Sequence, residues 1–343
     1  MTVDFTTEID TAINSKTKPR GSLGVLEDLA AQLCRIQASL TPSLVCPTIV
    51  VFAADHGVAR HKVSAYPREV TAQMAQNMLS GGAAISVLSD QHGIDVVLVD
   101  SGVDWPSTRP AGMIDHWMGP GTADPLLTDA MTAEQVQDCL GAGADVIAHA
   151  VDPRCTIVGF GELGIGNTSS AALIMSGLTG LDIQDCAGPG SGLSPEGLAD
   201  KIQILGEILA AHPTPHDGFE ALQMYGGFEI AQMTGAMLAG YRSGRILMID
   251  GFVASAAFLA AWSIEPAIRD CAVFCHQSDE PGHRRLLDHL HAEPLLNLGM
   301  RLGEGTGCAV AYPIIVSAAT FLNNMANFDT AGVSTGDPET VLA

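Results

Sequence analysis

Thr156-Ile-Val-Gly-Phe-Gly-Glu-Leu-Gly-Ile-Gly-Asn-Thr168 decides how this chain is read. An apolar run of strand type, Thr156 to Phe160, passes through glycines directly into a helical pattern at Thr168 to Ser176. A strand that turns on glycine into a helix leaves the first backbone N–H groups of that helix without intrahelical partners, and together they cradle an anion such as phosphate. Gly159, Gly161 and Gly164 also satisfy GxGxxG, the dinucleotide-binding fingerprint. That fingerprint calls for a second strand ending in an acidic residue about 20 positions on. Here Leu178 to Asp185 is short, polar and turn-like, so the stretch predicts a mononucleotide phosphate site. A tight turn alone would account for the glycines, but Glu162 and Asn167 add polarity that a turn does not need.

Further runs of strand type lie at Thr48–Ala54, Ile94–Val99, Val146–Ala150, Ile246–Ile249 and Ala272–Phe274. Helical spacing recurs at Ser22–Ser39, Pro67–Leu79, Thr132–Ala142 and Ile202–Ala211. Alternating strands and helices predict an α/β fold with a mostly parallel sheet flanked by helices. Ligands of such sheets bind beyond the carboxyl ends of the strands, and the residues there are polar and glycine-rich. The segment Ala309–Phe328 is apolar almost all round and predicts a buried helix or helix pair, packed with the N-terminal helix as a small second unit.

The bulk properties narrow the partners. Lys and Arg number 16 against 38 Asp and Glu, a formal charge of -22, which speaks against nucleic acid or an anionic membrane surface as partner. Eight cysteines are scattered without a CxxC pair, which suggests neither a zinc knuckle nor a disulfide framework. The N-terminus lacks the layout of a signal peptide, and no stretch reaches about 18 uninterrupted apolar residues, so a cytoplasmic protein without membrane insertion is expected.

Several short segments bear chemistry. Arg301-Leu-Gly-Glu-Gly-Thr-Gly307 sets Glu304 between glycines, where a ligand can approach the carboxylate and the flanking N–H groups together. General base and helix cap are equal readings of that glutamate. Asp55-His56 invites a catalytic or metal reading, although a structural hydrogen bond is the commoner role for such a pair. Cys275-His-Gln-Ser278, with Glu280 and His283, mixes soft and hard ligands at no standard spacing and reads as a polar loop on the substrate side. Asp250-Gly-Phe252 and Gly226-Gly-Phe-Glu229 fit turns as well as ligand contacts. Lys201 stands near the start of a helical pattern, where a phosphate or carboxylate partner would explain it; a solvated lysine is the alternative.

Taken in order, Lys18-Pro-Arg-Gly-Ser-Leu-Gly24, Ala54-Asp-His-Gly-Val58, the Gly161–Thr168 turn, Gly226–Glu229, Asp250–Phe252 and Arg301–Gly307 closely resemble the nicotinate-nucleotide:dimethylbenzimidazole phosphoribosyltransferases of cobalamin synthesis, across residues 16 to 328. The resemblance implies a homodimer in which each subunit has a Rossmann-like α/β domain, residues 31–304, and a small helical domain from the two chain ends, residues 1–30 and 305–343. It implies transfer of the phosphoribosyl group of nicotinate mononucleotide to a benzimidazole-type base with inversion, without cofactor or metal. Glu304 is then the base that removes the imidazole proton. Glu162, Gly164, Ile165, Gly166, Asn167, Thr168, Lys201, Gly305 and Thr306 hold the nucleotide, and Tyr66, Met74 and Leu302 face the incoming base. Tyr66 and Met74 stand where some members have serine and glutamine, which opens the base to adenine, other benzimidazoles or phenols. Cys275 replaces a usual serine, and Pro189 interrupts a second glycine loop, Gly188 to Gly192. A nicotinamide-dependent oxidoreductase and a base-sequestering protein without activity are the alternatives.

Overall fold

The structure, a computed structural model, describes residues 3–334. In chain order the helices and strands are α1 (Val3–Asn14), α2 (Val25–Gln37), β1 (Thr48–Ala54), α3 (Val70–Leu79), α4 (Ala84–His92), β2 (Asp95–Gly102), β3 (Ile114–Asp115) and α5 (Ala133–His149). Then come β4 (Ile157–Leu163), α6 (Asn167–Thr179), α7 (Ile183–Cys186), α8 (Pro195–Ala211), α9 (Gly218–Tyr225), α10 (Phe228–Arg242), β5 (Ile246–Ile249) and α11 (Phe252–Ile264). The chain continues with β6 (Ala272–Phe274), α12 (Pro281–His289), α13 (Thr306–Asn324) and α14 (Phe328–Ala331).

The strands form one sheet in the order β3-β2-β1-β4-β5-β6, every pairing parallel. Strand β1 is buried at all seven positions, which is why it reads as a continuous apolar run without alternation. Its side chains nonetheless alternate between two cores: Val50, Phe52 and Ala54 pack on one face of the sheet, Ile49, Val51 and Ala53 on the other. The first face is covered by α5, α6, α9, α10 and α11, the second by α2, α4 and α13. Strand order reverses between β1 and β4, the place where a doubly wound sheet opens a crevice at its carboxyl edge.

The strand expected at Val146–Ala150 is helical: α5 runs unbroken from Ala133 to His149, and Ala150 follows as its C-cap. Gly141 and Gly143 interrupt the helical pattern in sequence. In the fold, Gly143 lies flush against the α10 backbone at Gln232 and Ala236, and Gly235 of α10 lies against Leu140 in return. These glycines bring two helix backbones together and do not end a helix. Helix α8 begins at Pro195, earlier than the expected Ile202, because Ser194 accepts the N–H of Gly197 and Pro195 occupies the first turn. The C-terminal apolar segment is one helix, α13, preceding the expected start by three residues and packed on α2 and α4. By length and composition α13 could cross a membrane, but over half of it is buried inside the protein as a core helix.

Candidate active site

Four polypeptide turns at the carboxyl ends of β4, β5 and β6 and before α13 enclose one cleft. The first is the decisive stretch. Leu163 ends β4, and Gly166, at φ 102°, caps α6 with no side-chain hydrogen bond to the helix end. Part of the turn is already engaged, since Ile165 N–H donates to Thr71 Oγ1 at 3.1 Å and Asn167 N–H to the Gly164 carbonyl at 3.2 Å. Glu162, Leu163 and residues 164 to 168 all line the cleft.

His56 supports this turn from below. Its Nδ1 pairs with Ser170 Oγ at 2.9 Å and its Nε2 with Glu229 Oε1 at 2.6 Å, all fully or almost fully buried. A Cβ on Gly164 would press on the imidazole, and one on Gly166 would press on the Cβ of His56. Asp55 binds the Asp104 N–H at 2.8 Å and faces Arg68 at 3.4 Å. The Asp-His pair and the Glu229 motif are thus architectural, and among the described residues no group of three or more His, Cys, Asp or Glu is placed to hold a metal.

The second turn carries Glu304. Gly303, Glu304 and Gly305 have φ of 82°, 65° and 83°, three consecutive left-handed residues. For a residue with a Cβ that conformation costs about 1–3 kcal/mol and persists only where the surroundings impose it. They do so here. Asp250, following β5, accepts the N–H groups of Gly305 and Cys308 at 3.2 Å each and serves as the cap of α13 from another segment of the chain. On the other side Gly161 has no room for a Cβ against the backbone of Glu304 and Gly305. The Glu304 side chain lines the cleft, is only 4% exposed, and has no hydrogen-bond partner at Oε2.

Burial dominates the electrostatics. It raises Glu304 to about 7, with Asp250 adding to the rise and the Ile85 N–H at the start of α4 opposing it. Glu162 rises to about 8 through burial first, then repulsion from Asp250, Glu229 and Glu304, against a hydrogen bond from Asn167. Asp250 rises to about 7 through burial, against the N–H groups it accepts. Two of these raised carboxyl groups, Glu162 and Glu304, line the cleft with Asp250 behind them, and carboxyls shifted toward neutrality in a cleft mark a functional site.

On the opposite wall Lys201, 1% exposed, donates to Thr168 Oγ1 at 3.1 Å and to the Gly188 carbonyl at 3.0 Å. Burial lowers it to about 8, with Glu280 opposing. Lys201 therefore stands behind Thr168 and ties α8 to both glycine loops. Arg301 closes that wall by donating to the Gly190 carbonyl at 3.0 Å.

Of the residues expected from sequence, Glu304, Glu162, Gly164, Ile165, Gly166, Asn167, Thr168 and Leu302 come together along the cleft. Gly305 and Thr306 sit behind Glu304, where Thr306 Oγ1 donates to the Gly303 carbonyl at 2.7 Å. Tyr66 is exposed on the loop before α3, and Met74 is half-buried on α3 against the core that contains Ile85; neither lines the cleft. Sequence reasoning missed Ser64, which lines the cleft and meets Ser191 at 3.1 Å, and the capping role of Asp250. A serine in a polar loop carries no signal, and Asp250 is 55 and 58 residues from the two N–H groups it binds.

A Rossmann-like sheet, a phosphate-type turn at its switch point and one poised carboxylate describe an enzyme acting on a nucleotide. The chain belongs to the DBI_PRT phosphoribosyltransferase family, whose model matches residues 2–333. It is 51% identical over 332 residues to the nicotinate-nucleotide–dimethylbenzimidazole phosphoribosyltransferase of Cupriavidus necator, covering 96% of each chain. It is 48% identical to the enzyme of that name from Aromatoleum aromaticum, again over 96% of each. The crystal structure of CobT from Thermus thermophilus superposes with a TM-score of 0.93 at 38% identity, over 97% of this chain and 100% of that one.

Proposed function

We propose that this enzyme transfers the 5-phosphoribosyl group of nicotinate mononucleotide to 5,6-dimethylbenzimidazole or a similar base, giving α-ribazole 5'-phosphate and nicotinate. The observation that carries this reading is Glu304: a carboxylate raised to about 7, unpartnered at Oε2, and held by strained backbone across the cleft from the α6 turn. The phosphate takes the remaining N–H groups of the Gly164–Thr168 turn, with Lys201 contributing positive charge from behind Thr168. Glu162 faces the ribose. The base enters on the Glu304 side, bordered by Leu302. Glu304 accepts one imidazole proton while the other ring nitrogen bonds to the anomeric carbon. The bond to nicotinate breaks with its electron pair returning to the pyridinium nitrogen, which leaves neutral, and the anomeric carbon inverts. Positioning and electrostatic stabilisation of the oxocarbenium-like centre provide the acceleration without a cofactor.

The substrate names of the relatives support this reading, as does the full-length match. A homodimer, a cytoplasmic location, and division into residues 31–304 and a small helical unit from residues 1–30 and 305–343 belong to the same proposal. Packing of α1 on α2 and of α2 on α13 supports that small unit, although α2 itself spans residue 30 and residues 335–343 lie outside the described ones. The test is turnover of nicotinate mononucleotide with dimethylbenzimidazole, adenine and a phenol in parallel, following nicotinate release and nucleotide product by chromatography. Formation of the α-nucleotide supports the assignment, and its yield among the three acceptors identifies the base; no product with any acceptor overturns it.

A further inference from the structure

Glu280 stands at the N-cap of α12, where an acidic side chain ordinarily serves the N–H groups of its own helix end, yet it makes no such bond. Its side chain turns instead into the cleft wall, 5% exposed, with no hydrogen-bond partner at Oε2. A buried carboxylate oxygen left open is costly unless charge nearby compensates it. The side chain turns toward the second glycine loop. A Cβ on Gly188 would strike Oε2 of Glu280, so the missing side chain there is what admits the carboxylate.

Two cations grip the same loop: Lys201 donates to the Gly188 carbonyl and Arg301 to the Gly190 carbonyl, at 3.0 Å each. Both acceptors of Lys201, Thr168 Oγ1 and the Gly188 carbonyl, are neutral, so this buried ammonium has no counter-charge among its hydrogen-bond partners. A buried ammonium keeps its proton near neutrality only where an anion stands close by. Helix α6 carries no charged residue, and Glu162 before it accepts the Asn167 amide. On α7, Asp182 caps its own helix and Asp185 pairs with Arg285 at 2.9 Å. Glu196, Asp200 and Glu207 of α8 itself are exposed. Asp279 and Glu280 precede α12, and of the two it is Glu280 that opposes the effect of burial on Lys201. Burial pushes Glu280 up in turn, with Lys201 first and then Arg301 opposing the rise.

We infer that Glu280 is a positioning residue of the phosphate wall, acting through Lys201: its buried carboxylate keeps the ammonium charged and seated against the second glycine loop until a nucleotide phosphate arrives. For its purpose, though not for its geometry, the inference rests on the proposed transferase reading. In the empty cleft Glu280 balances Lys201 and Arg301. A bound phosphate brings negative charge of its own and takes over the task of holding the ammonium. Glu280 therefore matters to the free enzyme, and its effect falls on kcat/KM more than on kcat.

The test compares wild type with Glu280→Gln, which removes the charge and keeps the shape. The chain has four lysines, Lys16, Lys18, Lys62 and Lys201, so side-chain NMR of isotope-labelled lysine follows each of them with pH, and Lys201→Met identifies the Lys201 signal. Wild-type Lys201 is expected to titrate at about 8. In Glu280→Gln it should titrate about one unit lower, the low end of what a nearby opposite charge supplies. As a second readout, kcat/KM for nicotinate mononucleotide should then fall about fivefold at pH 8 and little at pH 6, the ratio of charged fractions that such a shift produces. A Lys201 titration that does not move, or a loss of kcat/KM equal at the two pH values, overturns the inference, because a merely structural role gives that pattern. The NMR readout needs no transfer chemistry: an inactive wild type whose Lys201 still shifts in the variant removes the proposed reaction and leaves the pairing. Thermal unfolding is followed for each protein. Should the glutamine variant not fold, Gly188→Ala, whose methyl group displaces the carboxylate, carries the same expectation for Lys201.

Discussion

Asp250 and Gly305 meet at 3.2 Å, carboxylate to backbone N–H, across 55 residues of chain. With the matching bond from Cys308, this contact fixes the start of α13 and with it the three left-handed residues that aim Glu304 into the cleft. Asp250 is consequently a positioning residue. Asp250→Asn keeps one acceptor but turns its NH2 toward a backbone N–H. Loss of a charge-assisted bond is worth about 1.5–3 kcal/mol. The expected outcome is a kcat reduced at least about tenfold with the KM for the nucleotide little changed. Steady-state kinetics alongside thermal unfolding checks this; an equal fall in stability and in both kinetic parameters would indicate a merely structural role.

Glu304→Gln should abolish the proton transfer while keeping the shape of the loop. General-base catalysis contributes about 10²–10⁴-fold, and a loss of that size in kcat is expected. Wild-type kcat should also rise with pH through about 7, since the raised carboxyl group acts only when deprotonated. The residual activity of the variant should lack this limb. A pH–rate profile of both proteins decides the point.

The same carboxyl groups bind their protons more tightly in the folded state than in the unfolded chain, with Glu162 raised to about 8 and Asp250 and Glu304 to about 7. A folded protein that holds extra protons loses stability as pH rises. The sign is therefore opposite to that of activity: the contribution of these three groups to the stability of the ligand-free enzyme is full below pH about 4 and declines up to about 8, the window between the reference carboxylate values and the raised ones. Glu162→Gln should flatten the upper part of the decline. Denaturant unfolding at several pH values measures both.

Much of this arrangement was legible in sequence because it depends on local pattern. The β4–α6 turn, the seven buried residues of β1 and the glycine-flanked Glu304 all announce themselves within a few positions. What was not legible depends on contacts between distant segments. Gly143 looks like a helix breaker until the α10 backbone at Gln232 is seen against it. Asp250 looks like a turn residue until α13 returns to it. In sequence Lys201 sits unfavourably at a helix start, but the helix begins six residues earlier and the ammonium is buried against Thr168. The two-residue strand β3 pairs only at Ile114 and Asp115, too short to show a period.

The α5–α10 contact gives a test of the fold apart from chemistry. A methyl group on Gly143 would overlap the Gln232 carbonyl, and only movement of one helix can relieve it. Overpacking of this kind typically costs about 1–3 kcal/mol. Gly143→Ala should lower the unfolding midpoint accordingly, while kcat per folded molecule stays near wild type because the contact lies away from the cleft. A variant as stable as wild type would mean that the two helices are not in close contact.

Lys201 sets the opposite side of the pH profile from Glu304. Burial lowers its ammonium to about 8, with Glu280 opposing the shift, so it loses its charge within an accessible range. A neutral amine behind Thr168 no longer offsets a phosphate, and nucleotide binding should weaken as pH rises above about 8. Bound phosphate favours the ammonium and raises its pKa in the complex. The falling limb should therefore appear in kcat/KM, which reports the free enzyme, and be displaced or absent in kcat. Lys201→Met keeps much of the volume of the side chain and removes the titration. It should raise KM for the nucleotide several-fold at pH 7 and erase the alkaline limb of kcat/KM. If the limb remains in the methionine variant, another group produces it, and Lys201 serves only to tie α8 to the two glycine loops.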